Sequence, residues 1–155
     1  LGIGSINSVN SSSMYGLTKN IAELFTLQNG FSYISSPSIL GSKNSVLDKW
    51  YNLAKKNLPL TVTDVNCIRY FVTTESIINL VHTENYPKCQ LHPERVYSIS
   101  LGDLLEAFNE VFNYDNTKFI PLQEGEILKY TLPFDSNVLT PSKEEIKLLI
   151  KDIYQ

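Results

Sequence analysis

The stretch GSINSVNSSSMYGLTK, residues 4–19, decides how the rest of the chain is read. Its end places Tyr15 and Lys19 four residues apart, and the residues around and after them keep a helical rhythm. Leu17, Ile21, Leu24 and Phe25 recur at helical spacing until Asn29 and Gly30 stop the run. A helix therefore begins near Met14, and on it positions i and i+4 share a face. A lysine ammonium beside a phenol favours the phenolate, so a tyrosine placed this way can exchange protons near neutral pH despite a free pKa of about 10. The same ammonium can hydrogen-bond a ribose. Ahead of the helix, Leu1 to Ser5 reads as the end of a buried strand, and Ser5 to Ser13 as a polar loop. Ser5 thus stands at a strand end, where its hydroxyl would hold a substrate hydroxyl against Tyr15.

Strand and helix signals alternate from there to the end. Phe31 to Ser35 alternates and is aromatic and β-branched, hence a strand; Asn44 to Asn57 is a helix with Val46, Leu47, Trp50, Leu53 and Ala54 on one face. Leu60 to Thr63 is a short strand, and Thr73 or Thr74 caps a helix carrying Ile77, Ile78, Leu80 and Val81. Residues 83–95 form a polar loop, Arg95 to Ser100 a strand, Ser100 the cap of a helix through Phe112, and Thr117 to Leu122 another strand. Residues 125–139 are expected to be irregular, and Thr140 with Pro141 to open the closing helix as its cap and first residue. The alternation predicts an α/β fold with a parallel sheet.

Composition narrows the function classes. The 155 residues are enough for one domain, with 43% hydrophobic and 19% charged residues, as in an ordinary globular protein. Net charge is −3 and the basic residues are scattered, so the footprint of a nucleic-acid-binding protein is missing. No apolar run reaches the length of a membrane span. Cys67 and Cys89 form no C-x-x-C pair, and His82, Cys89 and His92 read as a helix end and a loop rather than a metal cluster. Two thiols at this density point to a reducing, cytoplasmic setting.

With the elements in place, residues 4–19 resemble the active-site pattern STDKAVNPxNxYGATK of the polysaccharide-biosynthesis branch of the extended short-chain dehydrogenases. That branch includes soluble UDP-N-acetylglucosamine 4,6-dehydratases. Val9, Asn10, Tyr15, Gly16, Thr18 and Lys19 match. Four further blocks follow in the family's order. Residues 35–46 resemble RYGNVLGSRGSV, sharing Leu40, Gly41, Ser42, Ser45 and Val46; residues 61–71 resemble TxTDPxMTRFF, sharing Asp64 and Arg69. Residues 100–107 are similar to a helix-opening IxDLAEA, and residues 120–130 to IxxRPGEKLHE, sharing Glu126.

The resemblance implies a Rossmann-like parallel sheet in its C-terminal half, plus a small substrate-binding α/β part. Residues 1–40 would be the remnant of the dinucleotide-binding domain, and residues 41–155 mainly the nucleotide-sugar part. It implies Ser5, Tyr15 and Lys19 as catalytic residues; Tyr15, Lys19 and Ser36 would face NAD or NADP. Ser38, Asn44, Ser45, Arg69 and Glu126 would bind the nucleotide sugar, Arg69 on the pyrophosphate and Glu126 on a ribose diol. The departures are as informative. Where the family's dehydratases carry an Asp and a Lys for acid–base work, this chain has Ile6 and Asn7, and isoleucine transfers no proton. Hydride chemistry at the sugar C4 needs only the Ser5, Tyr15 and Lys19 set, which favours a reductase or epimerase over a dehydratase. Ser38, Lys43, Asn44 and Gln123 replace the family's Asn, Arg, Gly and Arg. No glycine-rich G-x-x-G-x-x-G turn follows a strand, so the N-terminal half of the cofactor fold is expected as upstream sequence or as a partner chain, and a homo-oligomer is expected by resemblance. Two other readings stay open: a catalytically degenerate homologue that keeps sugar-nucleotide binding or a subunit role, and an unrelated α/β binding domain.

Overall fold

In the computed structural model, residues 1–6, 14–82, 89–122, 128–129, 132 and 137–155 are described. Along the chain come β1 (Gly2–Ser5), α1 (Met14–Gln28), β2 (Tyr33–Ser36), β3 (Ser38–Ile39), α2 (Val46–Lys55), β4 (Leu60–Val62), β5 (Ile68–Val72) and α3 (Thr74–Val81). Then follow β6 (Gln90–Leu91), β7 (Arg95–Ser100), α4 (Leu101–Phe112), β8 (Thr117–Phe119), β9 (Asn137–Leu139) and α5 (Lys143–Tyr154).

The expected α/β fold with parallel pairing is present. β1, β2 and β6 make one parallel sheet in the order β1-β2-β6, with Ile3 opposite Ile34 and Ser5 opposite Ser36. β4 pairs β8 in parallel, and β3-β5-β7-β9 form a second sheet. One pairing departs from the parallel expectation: β5 runs antiparallel to β7, with Tyr70 opposite Ser98. β5 falls within the stretch matched only as a family block, and β9 within residues expected to be irregular. Both are short, and partners distant in sequence hold them in place.

Local signals explain the helix ends. At the end of α1 the Gly30 amide donates to the Leu27 carbonyl at 3.0 Å and the Phe31 amide to the Thr26 carbonyl at 3.1 Å, the doubled closure that a left-handed residue permits, and Gly30 has φ 73°. Asn57, at φ 54°, closes α2 the same way, with its amide on Ala54 and the Leu58 amide on Leu53. The serine caps are regular: Ser45, Ser100 and Ser142 each accept from the amide three residues on. The closing helix starts later than Thr140 and Pro141 suggest. Ser142 is its cap, and Glu145 returns its carboxylate to the Ser142 amide, a reciprocal capping box that satisfies two amides of the first turn.

Two apolar clusters hold the chain. The larger joins α2, β4, β5, α4 and α5 around Trp50, Leu47, Leu60, Leu104, Phe108 and Ile150, each 1% exposed or less. Side chains so buried contribute about 1.5–3 kcal/mol each. The smaller cluster links the two sheets through Ile6, Ile34, Tyr70, Val72, Ile77 and Val96. α1 is different. Its face toward the sheet carries Gly16, Lys19, Asn20 and Glu23, while Leu17, Ile21, Leu24 and Phe25 are 46–68% exposed. The apolar rhythm that announces this helix thus lies on its outer side. Among the described residues, no helix is long and apolar enough to cross a membrane.

The last turn of α5 adds an aromatic stack. Tyr154 lies on Tyr51 at 4.3 Å between centroids, and Phe112 meets it edge-on at 6.0 Å. The Tyr154 hydroxyl is buried without a hydrogen-bond partner, and burial, then Asp48 and Tyr51, push its phenol from 10.0 up to about 12. A raised folded pKa means stability that is complete below the unfolded pKa of about 10 and is lost as pH rises through the folded value. Tyr154→Phe removes both the unpaired hydroxyl and this ionisation. We expect it to move the alkaline unfolding midpoint upward, read by circular dichroism between pH 10 and 12. An unchanged midpoint would show that another group governs alkaline unfolding.

Candidate functional site

The residues singled out from the sequence fall into two groups. The first sits at the start of α1. One helical turn separates Tyr15 from Lys19, and the Lys19 ammonium lies 5.4 Å from the centre of the Tyr15 ring. The Thr18 hydroxyl donates to the Tyr15 carbonyl at 2.8 Å, which stiffens the turn that carries both. Tyr15 is 59% exposed. Ser5 ends β1 in register with Ser36 at the end of β2, so two hydroxyl residues stand side by side at the carboxyl edge of the parallel sheet. In open α/β sheets that edge is where ligands lie. Ser36 is buried, and its hydroxyl donates to the Pro37 carbonyl at 2.9 Å. Its oxygen remains available as an acceptor.

The second set is a cavity of about 460 Å³. Four residues named by the sequence, Ser38, Asn44, Ser45 and Arg69, all line it. Glu126 and Gln123 lie outside the described residues, as does Asn7. The chain reverses at residues 40–45 to reach α2. Gly41 has φ 70° and Asn44 φ 66°, and the Asn44 amide donates to the Asp48 carboxylate at 2.8 Å. Ser45 then caps α2 through the Asp48 amide at 3.3 Å. The helix delivers Val46, Lys49 and Trp50 to the cavity wall; β4 and its end add Thr61, Val62 and Thr63. Trp50 fixes the seam between the two, its indole N–H donating to the Thr61 carbonyl at 3.0 Å. From β5, Arg69 enters with its Nη1 donating to the Ile68 carbonyl at 3.1 Å and the Leu128 carbonyl at 3.4 Å, which orients the guanidinium.

The chemistry of the wall is one-sided. Lys49 and Arg69 are cations, Ser38, Asn44, Ser45, Thr61 and Thr63 offer hydroxyl or amide groups, and no carboxylate is among the described residues that line it. Val62, Trp50, Phe71, Leu101 and Ile120 supply an apolar side. In a chain of net charge −3, such a wall suits an anion joined to a flat or apolar group. From the sequence Trp50 is a core residue, and Lys49, Thr61 and Thr63 are not among the expected site residues. The helical spacing of Ser45 and Lys49, i and i+4 from the cap, was the available signal for Lys49.

Tyr15, Lys19, Ser5 and Ser36 do not line this cavity. The link between the two sets is the short connection from Ser36 through Pro37 to Ser38, in which the last residue of β2 belongs to one set and the first of β3 to the other.

Comparison with known proteins gives the family and the fold. A family model described as polysaccharide biosynthesis protein matches residues 3–146. No curated protein matches the chain. Among solved structures, Pen from Bacillus thuringiensis is similar over 97% of this chain and 60% of its own, with a TM-score of 0.79 and 22% identity. UDP-N-acetylglucosamine 4-epimerase from Methanobrevibacter ruminantium M1, solved with UDP-N-acetylmuramic acid, is similar over 96% of this chain and 61% of its own, at TM-score 0.68 and 15% identity. DesIV, a dTDP-glucose 4,6-dehydratase from Streptomyces venezuelae solved with NAD and TYD bound, is similar over 97% and 58%, at TM-score 0.72 and 12% identity. At these identities the likeness is one of fold. The chain spans about three fifths of the length of these solved relatives.

Proposed function

Because this chain belongs to the polysaccharide biosynthesis protein family, we propose that it supplies the proton-transfer residues and the substrate pocket of an NAD(P)-dependent enzyme that oxidises, reduces or epimerises a nucleotide-activated sugar. The observation that carries this reading is the cavity wall, where Lys49 and Arg69 stand with hydroxyl and amide groups opposite an apolar side. A nucleoside diphosphate matches it in every part. Its pyrophosphate takes the two cations and the hydroxyl donors, with Arg69 offering a planar fork to two oxygens. Its base has the apolar side of the cavity to rest on. In this reading residues 1–40 carry the proton-transfer set and residues 41–155 mainly the substrate part, with Ser38 just ahead of it.

The residues at the start of α1 fit the reacting end of a nicotinamide dinucleotide. An ammonium and a phenol sit one turn apart, and Ser5 and Ser36 lie at the carboxyl edge of the sheet. Lys19 would hold the ribose hydroxyls, and Tyr15 would take or return the proton of the sugar hydroxyl while Ser5 orients that hydroxyl. The cofactor, when bound, supplies hydride transfer. Support for redox or epimerase chemistry over dehydration comes from Ile6, which is 7% exposed and packs in the cluster between the sheets. A side chain used for packing at the family's acid position leaves no proton donor there.

The test is titration of the chain with UDP by calorimetry. The parent is expected to bind. Arg69→Ala and Lys49→Ala are each expected to weaken binding by about tenfold or more, the equivalent of losing a charge-assisted hydrogen bond of about 1.5–3 kcal/mol. Affinity should also fall with added salt. A parent that does not bind UDP at millimolar concentration, or an Arg69→Ala protein with undiminished affinity, overturns the reading.

A further inference from the structure

The cavity is formed largely by the reversal at residues 40–45 and the first turns of α2, yet part of what holds them lies at the far end of the chain. We propose that Ile153 and Tyr154, in the last turn of α5, are positioning residues that fix this reversal and thereby set the Asn44, Ser45 and Lys49 groups of the pocket. This inference rests on the reading that the pocket takes a nucleoside diphosphate.

The first contact is at Gly41. A Cβ added there would meet Ile153, and the three nearest heavy atoms are all from that side chain, with Cδ1 at 3.2 Å and Cγ1 at 3.4 Å behind the closest, Cγ2. Ile153 therefore occupies the space that any other residue at position 41 would fill. The positive φ of 70° adds an independent demand for glycine. Gly41 is where the chain leaves β3 and Leu40, and the reversal tightens at once: the Ser42 hydroxyl donates to the Ile39 carbonyl at 2.8 Å, and the Ser45 amide to the Ser42 carbonyl at 2.9 Å. Pressure from Ile153 on Gly41 is transmitted along this hydrogen-bonded path to Asn44 and Ser45.

The second contact is on α2. Tyr154 stacks on Tyr51 with the rings 28° from parallel, and Lys55 covers Tyr51 with its ammonium 4.3 Å from the ring centre. Tyr51 follows directly on Lys49 and Trp50, which line the cavity, so a rotation of α2 that loosened the stack would also turn Lys49. Asp48 joins the two contacts. It accepts from the Asn44 amide, and its carboxylate lies close enough to Tyr154 to act on the buried phenol.

The body of α5 is anchored elsewhere, and this makes the device testable. Ile146 and Ile150 are buried in the main core, and Lys143 and Lys147 reach Glu110 of α4 at 2.8 and 3.0 Å. Neither Ile153 nor Tyr154 lines the cavity. Truncating them leaves the pocket wall and the fully buried core residues chemically unchanged, Tyr154 packing only against the edge of that core.

The experiment compares parent, Ile153→Ala, Tyr154→Ala and Tyr154→Phe by UDP titration and by amide hydrogen exchange. The two alanine variants are expected to weaken UDP about tenfold and to speed exchange of the Asn44 amide by at least as much, while α4 amides keep parental protection. Tyr154→Phe, which keeps the ring, should match the parent in both. Gly41→Ala supplies a second approach. It should also lose UDP affinity, and combining it with Ile153→Ala should recover part of the loss by clearing the clash. The inference is overturned if the alanine variants retain parental affinity and Asn44 protection, if Tyr154→Phe is as damaged as Tyr154→Ala, or if α4 protection falls together with that of Asn44. If the parent itself does not bind UDP, the functional reading fails, and Asn44 exchange still decides the positioning role.

Discussion

Tyr15→Phe is expected to lower turnover of a UDP-sugar with NAD(P) by about 10²–10⁴-fold, the usual contribution of a positioned acid–base group. The expectation follows from how little else among the described residues at the start of α1 can move a proton. Lys19 lies across the face of the Tyr15 ring, Thr18 spends its hydroxyl on the Tyr15 carbonyl, and Ile6 is a packing residue. Phenylalanine keeps the ring and its contact with the lysine stem but has no proton to exchange. Because Tyr15 does not line the cavity, UDP affinity should be unchanged in the same variant. That split separates a chemical role from a binding or folding one. Turnover is followed by nicotinamide absorbance and by analysis of the sugar product. A Tyr15→Phe protein with full turnover would remove the tyrosine from the chemistry and leave the chain as a sugar-nucleotide-binding relative.

How much of this was legible in the sequence depends on the distance over which each feature is encoded. β7 and α4 run from Arg95 to Phe112 as read, because alternation, the Ser100 cap and the apolar face are local signals. The capping box at Ser142 and Glu145 was equally local, and the S-x-x-E spacing contained it; the nearby Thr140 and Pro141 drew the reading two residues too early. β5 was not legible as a strand. Its five residues gain their identity from pairing antiparallel with β7 and parallel with β3, and no local pattern states either partner. α1 was legible as a helix, but periodicity cannot say which side faces the sheet, and here the apolar side faces out.

The pocket repeats the same division. Ser38, Asn44, Ser45 and Arg69 could be named because a family pattern, built from whole proteins, carries tertiary information that one sequence lacks. Lys49 and Trp50 had no such pointer, and Thr61 and Thr63, though inside a matched block, meet them only when α2 is laid against β4. Ile153 and Tyr154 were further away still, more than a hundred residues from the turn that Ile153 meets and the α2 tyrosine that Tyr154 stacks on.

Trp50→Ala is expected to destabilise the fold by about 3–5 kcal/mol, the range for truncating a fully buried large aromatic. The chain's one tryptophan is 1% exposed, meets Phe108 edge to face at 5.8 Å, and ties α2 to β4 through its indole N–H on Thr61. Alanine removes all three contributions at once and leaves a cavity in the centre of the main core. Against a total stability of about 5–15 kcal/mol for a domain, that is a large fraction. Trp50→Phe separates the terms. It preserves most of the packing against Phe108 but withdraws the hydrogen bond to Thr61, so a smaller loss of about 1–3 kcal/mol is expected. Urea unfolding followed by far-UV circular dichroism gives both values, and a Trp50→Ala loss below about 1 kcal/mol would show that the α2–β4 seam is not central to stability. The same residue also reports on the ligand. A single tryptophan on the pocket wall should change its emission when UDP binds, and Arg69→Ala, which leaves the indole in place, should shift that titration to higher UDP concentration without abolishing the parental spectrum.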